Sequence, residues 1–134
     1  MENKNKLFDL AQKCRENAYA PYSGFKVGAA IRSANGLYFT GCNVENASYP
    51  CGTCAEAGAI SAMIAGGERK IAEILIIADT TRIVPCGNCL QKIAEFADEN
   101  TIIHSADLNG IVQSFALSQL ININFRAEDM PHAS

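Results

Sequence analysis

Two short segments of the sequence combine cysteine with residues that suit metal and proton chemistry. Residues 53–56 read Thr-Cys-Ala-Glu, and residues 85–89 read Pro-Cys-Gly-Asn-Cys. Cysteine thiolates are good ligands for Zn²⁺, and three protein ligands leave the fourth tetrahedral position of the ion open to water. Glu56 lies too close to Cys54 to bind the same metal comfortably, but it is well placed to carry a proton of that water. The segments predict a catalytic zinc centre in a hydrolytic enzyme, with Cys54, Cys86 and Cys89 as ligands.

A fourth cysteine leaves a different zinc site open. Cys51 and Cys54 form one C-x-x-C pair, Cys86 and Cys89 form another, and 31 residues separate the two pairs. Two such pairs can close a structural four-cysteine site in a module that binds a partner. Structural ribbons usually place C-x-x-C in tight turns between strands, whereas the run after Cys54 has a helical pattern. Cys51 is therefore interpreted as a neighbour of the site and not as a ligand.

Each cysteine segment stands at the start of a run in which apolar residues recur at intervals of three and four. The first run ends near the glycines at 66 and 67, and the second follows Cys86. A helix N-terminus offers free N–H groups and the positive end of the helix dipole, which lower the pKa of a thiol and favour metal binding. Between the runs, residues 71–78 are almost all apolar, which predicts a strand covered on both faces.

The remaining elements must bring these segments together. Apolar spacing predicts a first helix from about residue 4 to 18, and residues 26–33 and 37–43 flank an Asn-Gly turn and predict a β-hairpin. Alternation after this hairpin places Asn43 and Glu45 on one face, where an amide and a carboxylate can bind sugar hydroxyls. A solvated strand end is the other interpretation of this pair.

The C-terminal third of the chain completes the predicted fold. Residues 101–105 predict a strand, and residues 108–117 predict a short helix whose start is marked by Asp107. With the preceding elements, this order predicts an α/β fold in three layers, with a mixed sheet of about five strands between helices. Cys14 and Cys42 are predicted to be packing residues, and His104 is predicted to be a strand residue and not a metal ligand.

Composition limits the classes of function. A chain of 134 residues with 49% hydrophobic content predicts one domain, 1–134, in which about 1–4 and 131–134, including His132, are frayed tails. The net charge of -3 and the short basic cluster at 69–70 argue against nucleic-acid binding. The sequence has no long apolar run and no secretory signal at its start, so we expect a cytoplasmic protein with no membrane partner and with reduced thiols.

The cysteine segments belong to a longer pattern that resembles a known family. C-A-E followed about thirty residues later by P-C-G-x-C is similar to the signature of zinc-dependent cytidine deaminases. The segments Y-A-P-Y-S-G-F-K-V-G-A-A at 19–30 and G-C-N-V-E-N-A-S-Y at 41–49 resemble the small members that act on free nucleosides, and they occur in the same order. The resemblance runs from about Leu7 to Met130 and implies the three-layer α/β/α fold of that family.

The resemblance also implies an activity and a role for individual residues. The activity is hydrolytic deamination of cytidine and deoxycytidine, with one Zn²⁺ per chain on the three cysteines and Glu56 carrying protons. The implied substrate contacts are Phe25 on the pyrimidine ring, Asn43 and Glu45 on the ribose, the Ala55 N–H on the base carbonyl, and Phe125 from a neighbouring subunit of a homotetramer. The residues alone leave Phe25 open as an ordinary core aromatic and Phe125 as an aromatic packed on its own domain.

The sequence departs from the family pattern at two positions beside the zinc segments. The family usually has arginine directly after C-A-E and again after the last cysteine, whereas this chain has Ala57 and Leu90. Arginines there would withdraw charge from the thiolates. Their replacement leaves efficiency and substrate choice open, with another cytosine nucleoside, such as a nucleoside antibiotic, as the alternative substrate.

Overall fold

The computed structural model describes residues 2–131 as a five-stranded sheet with helices on both faces. The helices are α1 (Glu2–Arg15), α2 (Ala55–Ala65), α3 (Gly87–Glu95) and α4 (Leu117–Leu120). The strands are β1 (Val27–Ser33), β2 (Tyr38–Cys42), β3 (Ile71–Ala78), β4 (Ile102–Asp107) and β5 (Gly110–Ala116). Two short 3-10 helices span Tyr49–Cys51 and Ala127–Asp129. The predicted α/β fold with a mixed sheet of about five strands is confirmed.

The sheet has the strand order β2-β1-β3-β4-β5. β3 and β4 pair in parallel, and the other neighbours pair antiparallel. The parallel pair is connected through α3, as a βαβ crossover requires. The predicted hairpin forms β1 and β2, and its turn places Gly36 at a φ of 87°, a backbone conformation that glycine adopts without a steric cost.

Two apolar clusters occupy the two faces of the sheet. α1 covers one face, where Leu7 and Ala11 pack against residues such as Leu75. α2 and α3 cover the other face, where Met63 and Ile93 pack against residues such as Ile74. Successive side chains of a strand point to opposite faces, so the unbroken apolar run of β3 supplies both clusters.

Two glycines in the sheet allow the backbones of α1 and α2 to pack directly against the backbones of β1 and β2. A Cβ added to Gly41 of β2 would lie 2.3 Å from the Ala59 nitrogen of α2, and a Cβ added to Gly28 of β1 would lie 2.3 Å from the Ala11 oxygen of α1. Gly58 of α2 faces Gly41, and its added Cβ would lie 3.5 Å from the Gly41 Cα. The position of α2, which begins directly after Cys54, is therefore set by glycine contacts with β2.

The prediction of a helix over residues 108–117 is wrong, because the segment forms strand β5. Asp107 accepts hydrogen bonds from the N–H groups of Asn109 (2.8 Å) and Gly110 (3.1 Å), so it closes a hairpin turn and does not cap a helix. Gly110 has a φ of 152°. The apolar residues of this segment fit helical spacing, but the Asn-Gly dipeptide at 109–110 is a hairpin signal, and pairing with β4 decides the outcome.

A buried polar network crosses four strands on the face that α1 covers. His104 Nε2 donates to Glu73 (3.0 Å), and the Ser114 hydroxyl donates to His104 Nδ1 (2.7 Å). Arg32 pairs with the other oxygen of Glu73 at 2.7 Å. Each ring nitrogen of His104 has a partner that suits the neutral imidazole, so this side chain links neighbouring strands of the sheet. This agrees with the prediction that His104 is a strand residue.

The ends of the chain are described only in part. α1 starts at Glu2, two residues before the predicted start, and ends at Arg15. The predicted frayed tails span about 1–4 and 131–134; residue 1 and residues 132–134, with His132, lie outside the described part, whereas residues 2–4 belong to α1. Within residues 2–131, every helix is too short or too polar to cross a bilayer.

Candidate active site

The cysteine segments lie at the N-termini of α2 and α3, as predicted. Cys54 is the residue before α2 and Cys86 is the residue before α3, and both have extended backbone conformations. Neither side chain caps its own helix, so both thiols are free for other contacts. Cys89 lies in the first turn of α3 and is buried. Two positive helix ends therefore flank these thiols, an arrangement that favours anionic ligands.

The three thiols are neighbours in space. Burial raises the pKa of Cys89, and the nearby Glu56, Cys54 and Cys86 raise it further. Within residues 2–131, no three histidine, cysteine or acidic side chains stand in closed metal-ligating geometry. The raised pKa of Cys89 is compatible with this spacing among residues 2–131, because electrostatic interactions between thiols extend well beyond the length of a zinc–sulfur bond, about 2.3 Å. Three soft ligands, two of them at helix N-termini, fit Zn²⁺ by donor type.

Cys51 is set apart from this group. It ends the first 3-10 helix, its side chain is exposed, and it is not among the groups that shift the pKa of Cys89. A four-cysteine site would require Cys51 to approach the buried Cys89 as Cys54 and Cys86 do. The placement supports the interpretation of Cys51 as a neighbour of the site.

Glu56 has the surroundings of a proton carrier. Its carboxyl group is in the first turn of α2, and the residue is only 6% exposed. Burial raises the pKa of Glu56, partly offset by its own backbone N–H, by a hydrogen bond with Cys89 and by the charge of Lys92. A carboxyl group whose pKa moves toward neutrality can both accept and donate a proton at physiological pH. Glu56 and Cys89 each shift the pKa of the other, so the Glu56 carboxyl group lies near the thiols.

Asn43 and Glu45 hold the loop that precedes β1. The Asn43 amide donates to the Phe25 carbonyl (2.8 Å) and accepts from the Val27 N–H (2.9 Å). Glu45 accepts from the N–H groups of Tyr22 (2.9 Å) and Ser23 (3.1 Å) and from the Ser23 hydroxyl. This hydroxyl bond is the largest of the effects that lower the pKa of Glu45. Both predicted ribose ligands are therefore preorganised on one loop, which the alternation of side chains along a strand does not by itself reveal.

Backbone pairing joins this loop to the first zinc segment. Val44, between Asn43 and Glu45, exchanges two hydrogen bonds of 2.9 Å with Thr53, the residue before Cys54. Val44 also forms an isolated β-bridge with Tyr19, on the side away from Thr53. The predicted ribose ligands and the predicted metal ligand Cys54 thus lie in adjacent parts of one small sheet-like unit.

A cleft of about 490 Å³ opens over this unit. Asn43, Glu45 and Cys54 line it, together with Tyr22, Ser23, Val44, Asn46, Tyr49, Gly52 and Thr53. The rings of Tyr22 and Tyr49 meet edge to face, with centroids 6.5 Å apart. A cavity of this size, with aromatic walls and a few fixed polar groups, suits a small polar ring compound. Sequence reasoning had assigned no role to either tyrosine, although both lie in the segments 19–30 and 41–49.

The two predicted aromatic contacts have different settings. Phe25 is 41% exposed, and its backbone is bound to both Ser23 and Asn43. Phe125 is 59% exposed, and neither phenylalanine is among the described residues that line the cleft of this chain. The Phe125 backbone is instead attached to Gln91 of α3 through two hydrogen bonds.

The positions of the two absent arginines face different surroundings. Leu90 is buried in the apolar cluster under α3, whereas Ala57 lines a groove between α2 and α3 together with Lys92. Lys92 donates to the Asn88 side chain (2.9 Å) in the second zinc segment, and its charge lowers the pKa of Glu56. Lys70 pairs with Asp98 at 2.9 Å, and Arg69 donates to the carbonyls of Ile64 and Glu68.

Comparison with known proteins gives a family. Residues 1–105 match the family described as the cytidine and deoxycytidylate deaminase zinc-binding region. A cytidine deaminase of Halalkalibacterium halodurans is 40% identical over 129 residues, which cover 96% of this chain and 98% of that protein. A cytidine deaminase of Sporosarcina psychrophila is 37% identical, with 96% of each chain covered.

Solved structures agree with the sequence comparisons. The crystal structure of cytidine deaminase from Burkholderia pseudomallei superposes with a TM-score of 0.85 at 39% identity, covering 90% of this chain and 98% of that one. The cytidine deaminase from Mycobacterium tuberculosis gives a TM-score of 0.79 at 31% identity, with 90% and 95% covered. With the thiols, the buried glutamate and the cleft already in place, these matches show that the chain belongs to the zinc-binding cytidine and deoxycytidylate deaminase family.

Proposed function

We propose that this chain, with one Zn²⁺ bound, deaminates cytidine and deoxycytidine to uridine and deoxyuridine by hydrolysis. The observation that carries the proposal is the proximity of the buried Glu56 carboxyl to Cys89, which also lies near Cys54 and Cys86, together with an aromatic-walled cleft that Cys54 lines. Deamination of a cytosine ring needs an activated water and a group that moves protons between the water, the ring and the leaving amine. The family and its relatives support the same reaction.

In this proposal Cys54, Cys86 and Cys89 hold the zinc ion. When bound, Zn²⁺ supplies Lewis acidity that makes water a competent nucleophile at neutral pH. Glu56 accepts a proton from the water and delivers it to N3 of the ring, and it then moves the proton of the resulting C4 hydroxyl group to the amino group, which leaves as ammonia. Burial supports this role, because a raised pKa makes the Glu56 carboxylate a better proton acceptor and brings its pKa closer to the pH at which the proton must be accepted and returned.

The remaining side chains bind and orient the nucleoside. Asn43 and Glu45 contact the ribose, and each has free hydrogen-bonding capacity beyond its bonds to the loop, since an amide and a carboxylate together offer several acceptor and donor positions. The Ala55 N–H at the start of α2 binds the base carbonyl, and the Phe25 ring packs on the pyrimidine. Residues 1–134 act as one domain, because both apolar clusters share one sheet.

We also propose a homotetramer in which Phe125 enters the site of a neighbouring subunit. The family resemblance implies this arrangement, and the 59% exposed ring of Phe125 is accessible to a neighbouring subunit. Mixed oligomers of Phe125→Ala and Glu56→Gln chains test this arrangement. Sites that combine an intact Glu56 with a neighbour's Phe125 should work with a normal KM, whereas verified mixed oligomers that keep the raised KM of Phe125→Ala would favour action within one chain.

The setting proposed for the enzyme is pyrimidine salvage in the cytoplasm. All six cysteines are free thiols, which suits a reducing compartment. The substrate is a free nucleoside and not a polymer, because the net charge of -3 does not suit a polyphosphate chain.

Ammonia release from a panel of cytosine nucleosides, with zinc content measured on the same preparation, tests the proposed reaction. Glu56→Gln should keep zinc and fold but lose on the order of 100-fold or more in turnover, because an amide cannot accept the proton. Glu16→Gln, an exposed site at the end of α1, is the matched control and should behave like wild type. Near-normal turnover of zinc-loaded Glu56→Gln would exclude Glu56 as the proton carrier, and turnover of a modified nucleoside alone would favour the antibiotic-type substrate.

A further inference from the structure

The C-terminal segment is attached to α3 by one side chain. The Gln91 amide nitrogen donates to the Phe125 carbonyl at 2.7 Å, and the Phe125 N–H donates to the Gln91 amide oxygen at 3.1 Å. Only one orientation of the amide satisfies both bonds, since its oxygen must face the N–H and its nitrogen must face the carbonyl. Gln91 therefore grips both polar groups of a single backbone residue, as a neighbouring β-strand would.

The segment around Phe125 has little other attachment. Ile123 is 91% exposed, and in the described part of the chain the hydrogen bonds that link residues 122–125 to other elements are the two made with Gln91. Directly after Phe125, the Arg126 N–H donates to Asp129 (2.8 Å) and the Asp129 N–H returns to the Arg126 carbonyl (2.9 Å). This closed turn stiffens the chain directly after Phe125, and Gln91 holds the backbone of Phe125 itself.

Two-point attachment determines the direction of the Phe125 Cα–Cβ bond as well as the position of the backbone. A single hydrogen bond would allow the backbone to rotate about it. Two bonds, one to the N–H and one to the C=O of Phe125, prevent this rotation and so fix the direction of the Cα–Cβ bond. The ring itself is 59% exposed, so packing within the chain contributes little to its direction. An aromatic contact helps a substrate only if the ring is held where the substrate arrives.

We propose that Gln91 is a positioning residue for the deaminase reaction, which acts by clamping the Phe125 backbone so that the ring is presented to the bound nucleoside. This inference rests on the proposed function and on the role proposed for Phe125, and it adds the group that makes this role possible. Gln91 lies two residues after Cys89 on α3, so the helix that carries this proposed zinc ligand also anchors Phe125.

Kinetics of single and double variants separate positioning from general stability. Gln91→Ala should raise the KM for cytidine about 2- to 10-fold, the range expected for loss of one aromatic contact, with kcat within about twofold of wild type. In a Phe125→Ala background, Gln91→Ala should have no further effect on KM. Gln12→Ala, which removes another glutamine–backbone bond (Gln12 to the Leu108 carbonyl, 3.5 Å) on the opposite face of the sheet, is the control and should keep the wild-type KM.

Hydrogen exchange supplies a readout that does not depend on turnover. The Phe125 amide should exchange about fivefold faster or more in Gln91→Ala, because its acceptor is gone. Gln91→Glu keeps an acceptor for that N–H but loses the donor to the carbonyl, so it should give an intermediate exchange rate and KM. Phe125 exchange as slow as in wild type would overturn the clamp.

The outcomes separate this inference from the proposals on which it rests. If Phe125→Ala raises KM and Gln91→Ala does not, the clamp is overturned while the role of Phe125 survives. Additive effects on KM in the double variant would also overturn it, since Gln91 would then act independently of the ring. If Phe125→Ala itself leaves KM unchanged, both the role of Phe125 and the positioning role of Gln91 fail. A wild-type chain that releases no ammonia from any cytosine nucleoside would refute the proposed function itself, and with it any positioning role.

Discussion

Replacing Gly41 by alanine should displace the end of α2 that carries the site. The added Cβ would lie 2.3 Å from the Ala59 nitrogen and 2.4 Å from the Ala55 oxygen, both in the backbone of α2. Ordinary contact begins at 3.4 Å. Helix and strand must therefore separate by roughly 1 Å, and a misplacement of that size can cost about 100-fold in rate. The overpacking should also cost about 1–3 kcal/mol of stability.

Two other glycines provide matched controls. Gly28→Ala creates an equally short contact, 2.3 Å, but with Ala11 of α1 on the opposite face of the sheet. Gly58→Ala places its Cβ at an ordinary 3.5 Å from Gly41. Gly41→Ala and Gly28→Ala should both lower Tm by about 3–15 °C. Gly41→Ala alone should lower the kcat/KM of the zinc-loaded, folded enzyme, by about 10- to 100-fold.

The assay compares Tm, zinc content and kcat/KM for cytidine at a temperature well below the lowest Tm of the set. Normalising to bound zinc removes molecules that have lost the metal. If Gly41→Ala and Gly28→Ala lose equal stability and keep equal kcat/KM, the contact between α2 and β2 does not set the geometry of the site. If Gly58→Ala lowers kcat/KM as much as Gly41→Ala does, the loss does not depend on the short contact of the added Cβ, and the steric explanation is wrong.

Two further predictions concern the metal ligands and the buried network. Cys51→Ser should keep one zinc per chain, whereas serine at Cys54, Cys86 or Cys89 should empty the site or speed release to a chelator; loss of zinc in Cys51→Ser alone would restore the four-cysteine module. Burial lowers the pKa of His104 below its ordinary 6.5, and for Glu73 the bonds from His104 and Arg32 outweigh burial and lower the pKa as well. Both groups bind protons more readily when unfolded, so their stabilisation is complete above about pH 6.5 and declines as the pH falls, first for His104 and below pH 4.5 for Glu73. His104→Gln should flatten Tm against pH between 7 and 5, and an unchanged slope would contradict this assignment.

The parts of the fold that the sequence predicted correctly depend on short-range signals. The Asn-Gly turn at 35–36 predicts the first hairpin, and the helix starts at Cys54 and Cys86 follow from apolar spacing over neighbouring residues. The error at 108–117 came from the same kind of signal, because its apolar residues satisfy helical spacing while its Asn-Gly turn favours a strand. Pairing with β4 resolved this ambiguity, and no local pattern contains that information.

The parts of the site that sequence reasoning missed depend on residues far apart in the chain. Gln91 and Phe125 are 34 positions apart, and nothing in either segment indicates their contact. Ser23 meets Glu45 across 22 positions, so the loop contacts of Glu45 appear only after folding. Metal ligands are different, because cysteine at the start of a helix has recognisable chemistry before its partners are known.

Lys92 provides the final prediction, because it occupies the neighbourhood in which the family usually has arginine. Three thiolates on Zn²⁺ and the Glu56 carboxylate leave excess negative charge beside the substrate. Lys92 lines the same groove as Ala57, and it donates a hydrogen bond of 2.9 Å to Asn88. Burial raises the pKa of Glu56, and the charge of Lys92 partly offsets this larger effect by lowering that pKa. A cation from α3 therefore acts on Glu56, beside the thiols from which an arginine at position 57 would withdraw charge.

Removal and relocation of this charge test its contribution. Lys92→Met keeps the length of the side chain without the charge, and it should lower kcat/KM about 2- to 5-fold with zinc content unchanged, since a solvent-exposed cation contributes about 0.4–1 kcal/mol. Lys13→Met, at an exposed position of α1, controls for loss of a surface charge. Ala57→Arg should restore most of the loss in Lys92→Met, because the new guanidinium would enter the same groove. Restoration by Ala57→Met as well would show that filling the groove matters and that charge does not, and an unimpaired Lys92→Met would show that helix N-termini alone balance the thiolates.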